Sequence, residues 1–372
     1  MRDFSNDHRS VMTLDAGGTN FVFSAMQGNK QAVQAFSLPS NGDDLERSLA
    51  ALVEGFTRVR KGLASAPAAI SFAFPAPADY VNGIIVSPRN LPAYRDVALR
   101  AFLEDRFGLP VFINNDGDLF AYGEATGGFL PWVNAQLEKA GSPKRFRNLL
   151  GVTLGTGFGG GIVRDGELFT GDNSVAGEVW LLRHKLERDL NAEEGASIRA
   201  VRRVYAERAG IAPDEAPEPK LIFGIAEGNA PGDAAAAREA FRRMGEVAGD
   251  AIANAVTLID GLVVIGGGIA GAHRQFMPAI LAELNGEYPA PNGERFRRLI
   301  PRAFNLEDPE QLEIFLRGET RQLRVPGSGR PIRFDGMQRI GIGVSRLGTS
   351  EATAIGAYAF ALNQLDRQAA VG

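Results

Sequence analysis

Ser10-Val11-Met12-Thr13-Leu14-Asp15-Ala16-Gly17-Gly18-Thr19-Asn20 runs from an apolar segment into a pair of glycines and on into a second apolar segment, Phe21 to Met26. That pattern predicts strand, glycine turn, strand. The Gly28-Asn29 pair then leads to a third strand over 31–38. The chain therefore opens as a meander, not as a strand–helix–strand unit. A Walker A loop is excluded, because Gly18-Thr19-Asn20 opens a strand and no Lys follows. The same residues suit an ordinary hairpin turn or a turn whose backbone N–H groups meet an anion, with Asp15 beside it.

Working outward, Leu45, Leu49, Leu52, Val53 and Phe56 recur at helical spacing, and a buried strand follows over 68–74. A short strand over 83–86 precedes the loop Ser87-Pro88-Arg89-Asn90-Leu91-Pro92. A helix over 97–107 then returns the chain to Val111-Phe112-Ile113. Alternating strands and helices of this kind predict an α/β protein with mixed central sheets flanked by helices. At the end of that strand stands Asn114-Asn115-Asp116. Alone it is a turn followed by a helix cap, yet a carboxylate at a rigid strand end also suits a general base.

Beyond Glu124 the pattern loosens through Lys144, with Trp132 in what reads as a peripheral insertion. A strand over 149–154 then enters Gly155-Thr156-Gly157-Phe158-Gly159-Gly160-Gly161, five glycines in seven residues. Such a run costs too much conformational entropy for a bare turn and points to a phosphate cradle. A hairpin with an Asp165-Gly166 turn follows. The charged stretch 184–210 favours helix, and most of its charges, Glu193 and Glu194 among them, read as a solvated face. A long helix over 234–259 delivers the strand 262–265 and then Gly266-Gly267-Gly268. The segment 288–338 is rich in Arg and Pro, and its apolar runs 312–316 and 332–334 suggest an added hairpin. A strand over 340–344 and a helix over 350–369 close the chain.

At 372 residues with 45% hydrophobic content, two domains are expected. They are drawn as a small lobe over 1–118, completed by the helix 350–372, and a large lobe over 119–349 with an added segment around 285–340. A net charge of −4 offers no field for nucleic acid or anionic lipid, so small-molecule partners are expected. With no cysteine and three histidines, disulfides and thiolate metal sites are excluded and no structural zinc is expected. No apolar run suits a membrane span or a signal peptide, so a cytoplasmic protein is expected.

Taken in order, the motifs resemble those of the ROK sugar kinases, a branch of the actin-like ATPase (ribonuclease H-like) superfamily with a two-lobed fold. The resemblance runs from about Val11 to Leu362. Asp15-Ala16-Gly17-Gly18-Thr19 is similar to the first phosphate motif, 87–92 to the sugar-side loop, and Asn115-Asp116 to the catalytic pair. Gly155-Thr156-Gly157 resembles the second phosphate motif, and Gly266-Gly267-Gly268 the adenosine motif. The resemblance implies a kinase using ATP and Mg²⁺ between two lobes. Asp116 would be the base, Asp15 would hold Mg²⁺ through water, and Asn90, Asn115 and Glu178 would bind sugar hydroxyls. Glucose or a related aldohexose, phosphorylated at its 6-OH, is the expected substrate, and a homodimer the expected assembly.

Two departures stand out. Where the family usually has Glu-x-Gly-His, this chain reads Glu178-Val179-Trp180-Leu181, and the Cys-rich zinc loop is absent. Metal-free packing is expected instead, with Trp180 and a helix over 184–189 in that place. Glu193 or Glu194 would supply the acid that follows the zinc loop in relatives and reaches the sugar; the sequence does not choose, and we carry Glu194 forward. The missing histidine also motivates a catalytically silent sugar-binding or regulatory protein. A DNA-binding repressor is not expected, since 14 residues precede Asp15. A nicotinamide oxidoreductase is the third reading, because Gly266, Gly268 and Gly271 satisfy G-x-G-x-x-G. So do Gly155, Gly157 and Gly160, which shows how little that pattern selects.

Overall fold

The computed structural model describes residues 2–371. Two compact units divide it. The first comprises residues up to Gly128 together with Gly161–Gly177 and the segment from Leu347 onward; the second comprises Phe129–Gly160 and Glu178–Arg346.

In the first unit a five-stranded sheet runs in the order Lys30–Pro39, Asn20–Gln27, Ser10–Ala16, Ala69–Ala73, Val111–Asn114. The opening meander is antiparallel. The last two strands join parallel to Ser10–Ala16 because helices carry the chain back between them. The helix Leu45–Gly62, capped by Asp44, buries Leu52, Phe56 and Val59. Phe56 meets Phe23 edge-on at 5.3 Å and Phe72 at 5.9 Å. All three rings are fully buried, each worth roughly 1.5–3 kcal/mol in transfer free energy.

The helix Asp116–Thr126 packs on the terminal helix Thr349–Val371 with almost no side chain between them. A Cβ on Gly123 would lie 1.8 Å from the Ala352 carbonyl oxygen, and one on Gly356 would lie 1.9 Å from that of Leu119. Tyr358, on the same terminal helix, accepts the Gly28 N–H at 2.9 Å and so ties that helix to the meander's turn.

The strands Leu149–Leu154, Leu262–Gly266, Arg339–Val344 and Arg302–Asn305 of the second unit lie in that order, each parallel to its neighbours. The first two are almost wholly buried, and they read accordingly as continuous apolar runs. The helix Ala234–Ile259 opens on an Asp233 side chain that accepts the N–H groups of Ala235 and Ala236.

Three local expectations are corrected. Phe129–Lys139 is a helix, not an irregular insertion: Pro131 sits in its first turn, where a missing N–H costs nothing. Trp132 stacks on Phe129 there at 5.9 Å, beneath the Arg346 guanidinium. Residues 312–316 belong to the helix Pro309–Arg317, and the added hairpin is Thr320–Arg324 with Pro331–Asp335. It is anchored by Asp335 on the buried Arg339 at 2.8 Å. Residues 184–189 are not helical, as described below. Among the described residues, no helix is long and apolar enough to cross a membrane.

The glycine contact between the two helices is open to test. Gly356→Ala is expected to destabilise the protein by about 3 kcal/mol, since neither backbone can retreat without breaking helix bonds. The change would be read as a lower midpoint of the first transition in urea; an unmoved midpoint would disprove the close approach.

Candidate active site

The strand Ser10–Ala16 delivers Asp15 to the edge of the glycine turn. Gly17 N–H closes that turn on the Asn20 carbonyl at 3.0 Å. Ser40 braces it from the third strand's end, its N–H on the Thr19 carbonyl at 3.0 Å and its hydroxyl on that of Gly18 at 2.5 Å. Gly18 in turn presses on Asn90, whose Cβ would stand 3.1 Å from a Cβ there. The loop 87–92 is therefore in van der Waals contact with the turn. It is held in place by the buried Leu91, whose N–H meets the Pro88 carbonyl at 3.2 Å.

Asn115 is an N-cap: its Oδ1 accepts the Gly117 N–H at 2.8 Å. Asp116 is the first residue of the helix and remains exposed, with Oδ1 on the same N–H at 2.9 Å. The cap reading and the base reading thus fall on adjacent residues. Asp15 is exposed at the strand end but crowded by the surrounding chain, and this partial loss of water, with the charge of Asp116 beside it, raises its pKa. The two carboxylates sense one another across the same sheet.

The second unit gathers the other glycine motifs. Gly155 N–H closes on the Gly157 carbonyl at 3.0 Å, and its own carbonyl accepts the Ile198 N–H at 2.8 Å. Gly267, at φ +90°, crosses so close to the neighbouring strand Leu149–Leu154 that a Cβ would lie 2.2 Å from the Leu154 carbonyl oxygen. No side chain but hydrogen fits, and Gly155–Gly157 and Gly266–Gly268 come to lie side by side. A Cβ at Gly268 would meet open space, which leaves its backbone accessible to a ligand.

Glu193 and Glu194 separate here. Glu193 Oε2 accepts the Phe158 N–H at 3.0 Å, so this acid is part of the turn. Glu194 has no such bond, and it is the more exposed of the two. Arg199 bridges both, at 3.1 Å and 3.2 Å, and donates to the Thr156 carbonyl at 3.3 Å. Neither Arg199 nor Ser40 is singled out by the sequence, where one sits in a charged stretch and the other in a loop.

Glu178 precedes a single turn, Val179–Leu181, and its carboxylate accepts the Trp180 indole N–H. Leu181 is exposed. The expected helix over 184–189 is instead a loop closed by a bridge between Arg183 and Asn191. The buried His184 organises it, its Nδ1 accepting the N–H groups of Leu186 at 3.2 Å and Glu187 at 2.9 Å. A ring that satisfies two backbone donors removes the need for a helix. Burial is the main cause of its lowered pKa.

Among the described residues no three His, Cys, Asp or Glu side chains converge on one point. Mg²⁺ in kinases takes one or two carboxylates and leaves its other positions to water and phosphate, and a single exposed carboxylate such as Asp15 beside the glycine turn is compatible with that demand.

Comparison with known proteins gives a consistent answer. A model of the ROK family matches residues 11–288. An N-acetyl-D-glucosamine kinase of Vibrio vulnificus (strain YJ016) is 30% identical over 278 residues, 69% of this chain and 83% of that one. The crystal structure of a glucokinase from Parabacteroides distasonis ATCC 8503 is 53% identical with a TM-score of 0.89, over 97% of this chain and 99% of that one. A ROK family glucokinase from Streptomyces griseus, solved with glucose and AMPPNP, is alike in fold at 20% identity and a TM-score of 0.60, over 94% and 98%.

Two titrations check this geometry. Asp116→Asn is expected to lower the Asp15 pKa toward its ordinary value, read by carboxyl NMR; an unchanged Asp15 would mean that the acids are electrostatically independent. For His184, folding favours the neutral ring, so its contribution is complete above the unfolded value of about 6.5 and is lost as pH falls below it. Hydrogen-exchange protection factors at Leu186 and Glu187 are expected to drop between pH 7.5 and 5. In His184→Ala they should be low at both, and pH-independent protection in the unmodified protein would contradict this role.

Proposed function

The chain belongs to the ROK family, and we propose that it is an ATP-dependent sugar kinase acting on a hexose, with Asp116 as general base. Its fold is that of the actin-like ATPases. The observation that carries the reading is that Asp15 and the Asn115-Asp116 junction stand at the same end of one parallel sheet, with Asp15 in register with Ala73 and Ala73 with Asn114, where the glycine turn also touches Asn90.

In this mechanism a sugar hydroxyl donates to Asp116, which accepts its proton as the oxygen attacks the γ-phosphorus of ATP. The β–γ bridging bond breaks and ADP leaves. Little covalent work falls to the protein, so positioning and charge neutralisation dominate. Asp116 is suited to positioning, because the strand Val111–Asn114 and the Asn115 cap hold it at a rigid junction. Asn115 Oδ1 is spent on that cap, which leaves its amide donors for a sugar hydroxyl. Asn90 and Glu178 would take further hydroxyls, Glu178 already aligned by Trp180. Glu194, being outside the turn, is the better placed of the acidic pair to do so.

The turns 17–19 and 155–157 would receive phosphates on backbone N–H groups, and 266–268 the adenosine. Mg²⁺, when bound, would neutralise phosphate charge, held by Asp15 through water.

Glucose, phosphorylated at its 6-OH, is the substrate we favour, because the glucokinase relative shares 53% of its residues over nearly the whole chain. N-acetylglucosamine is the competitor, from a relative at 30%.

A coupled ADP-release assay over a panel of hexoses tests both parts. Turnover with glucose exceeding that with N-acetylglucosamine is expected, and Asp116→Asn should lower kcat by roughly 10²–10⁴-fold. Absence of sugar-stimulated turnover, with sugar still bound in calorimetry, would replace the kinase by a silent binder; full activity in Asp116→Asn would remove Asp116 as base.

A further inference from the structure

An arginine at the second position of a helix is out of place. Arg199 lies one residue into Ile198–Ala209, where the helix dipole opposes a cation. Its neighbours explain why it is tolerated. One guanidinium nitrogen, Nη2, is shared between Glu193 Oε1 at 3.1 Å and Glu194 Oε1 at 3.2 Å, while Nη1 reaches the Thr156 carbonyl at 3.3 Å.

These bonds form a clamp around one turn. Glu193 holds the Phe158 N–H at 3.0 Å, and Arg199 holds the Thr156 carbonyl two residues earlier. Gly157 lies between, and a Cβ on it would come within 2.6 Å of Glu193 Oε2. The peptide groups that the turn would present to phosphate are therefore fixed by Glu193 and Arg199 together. Glu194 competes for the same guanidinium nitrogen without holding the turn itself.

We propose that Arg199 is a positioning residue that couples sugar occupancy at Glu194 to the order of the nucleotide turn 155–157. The coupling rests on the sugar-kinase reading above. A sugar hydroxyl that donates to Glu194 satisfies that carboxylate and releases Nη2 to Glu193 alone. The clamp on Thr156 and Phe158 then tightens, and the turn enters nucleotide binding already ordered. Part of the ordering cost has been met by the sugar, so nucleotide affinity rises. Linkage requires nucleotide to raise sugar affinity by the same factor.

The test is calorimetry on the full chain, with AMPPNP and Mg²⁺ titrated into protein alone and into protein saturated with glucose or, separately, N-acetylglucosamine. We expect sugar to tighten AMPPNP binding on the order of fivefold or more, and the reverse titration to give the same ratio. In Arg199→Ala the ratio should fall to within about twofold of unity. In Arg199→Lys, whose single ammonium cannot span both acids and the carbonyl, it should be intermediate.

A merely structural or directly nucleotide-binding Arg199 would weaken AMPPNP equally with and without sugar, leaving the ratio intact, and that result overturns the proposal. So does a wild-type ratio of one with both ligands bound. Wild-type protein that binds AMPPNP but neither sugar would instead refute the sugar-kinase reading, and the coupling with it.

Discussion

The closeness of two helix backbones sets the position of the base candidate in the first unit. Asp116–Thr126 and Thr349–Val371 meet at Gly123 and Gly356, with each glycine under a carbonyl of the other helix. No longer side chain permits that spacing, and no rotamer change relieves a clash with a backbone oxygen. Asp116 begins the first of these helices, so the base candidate is positioned by a segment more than two hundred residues further along the chain. Carboxylate placement within about 0.5 Å is what proton transfer in a phosphoryl-transfer site demands, and a glycine–carbonyl contact supplies that stiffness without occupying space near the reactants.

A different device serves the second unit. Its phosphate-turn candidate is held by side chains reaching inward to backbone groups, Glu193 to Phe158 and Arg199 to Thr156. The first of these bonds is part-buried and the second exposed, and hydrogen bonds to charged groups contribute only about 1.5–3 kcal/mol each, less where water competes. They suit a segment that must respond to ligand, as the helix contact suits one that must not move. The same contrast runs through the segment after Glu178. A buried His184 ring fixes the loop by accepting two N–H groups, while Trp180 donates to Glu178 and Leu181 stands exposed.

Much of this was legible in the amino-acid order. Glycine runs following apolar strands announced the turns at 17–18, 155–157 and 266–268, because few residues other than glycine permit such approaches. Asn115-Asp116 at a strand end announced a junction. Elsewhere local signals misled. The stretch beyond Glu124, with Trp132 in it, suggested a peripheral irregular insertion, although 129–139 is a helix with Pro131 in its first turn. The charged run from His184 suggested helix, and its first residues instead close a loop through one imidazole. Charge spacing alone cannot reveal that an acid has a backbone partner 35 residues earlier, as Glu193 does in Phe158.

The amino-acid sequence by itself determined most of the element order, which follows from periodicity and glycine placement, and its ordered motifs carried the resemblance to the ROK family. Tertiary structure decided which of two adjacent acids is committed to the turn, how Trp180 engages Glu178, and what presses Asp116 into place. The reason is physical. Propensity and pattern are properties of neighbours along the chain, whereas hydrogen-bond partners and backbone approaches are set by packing between segments that the sequence keeps far apart.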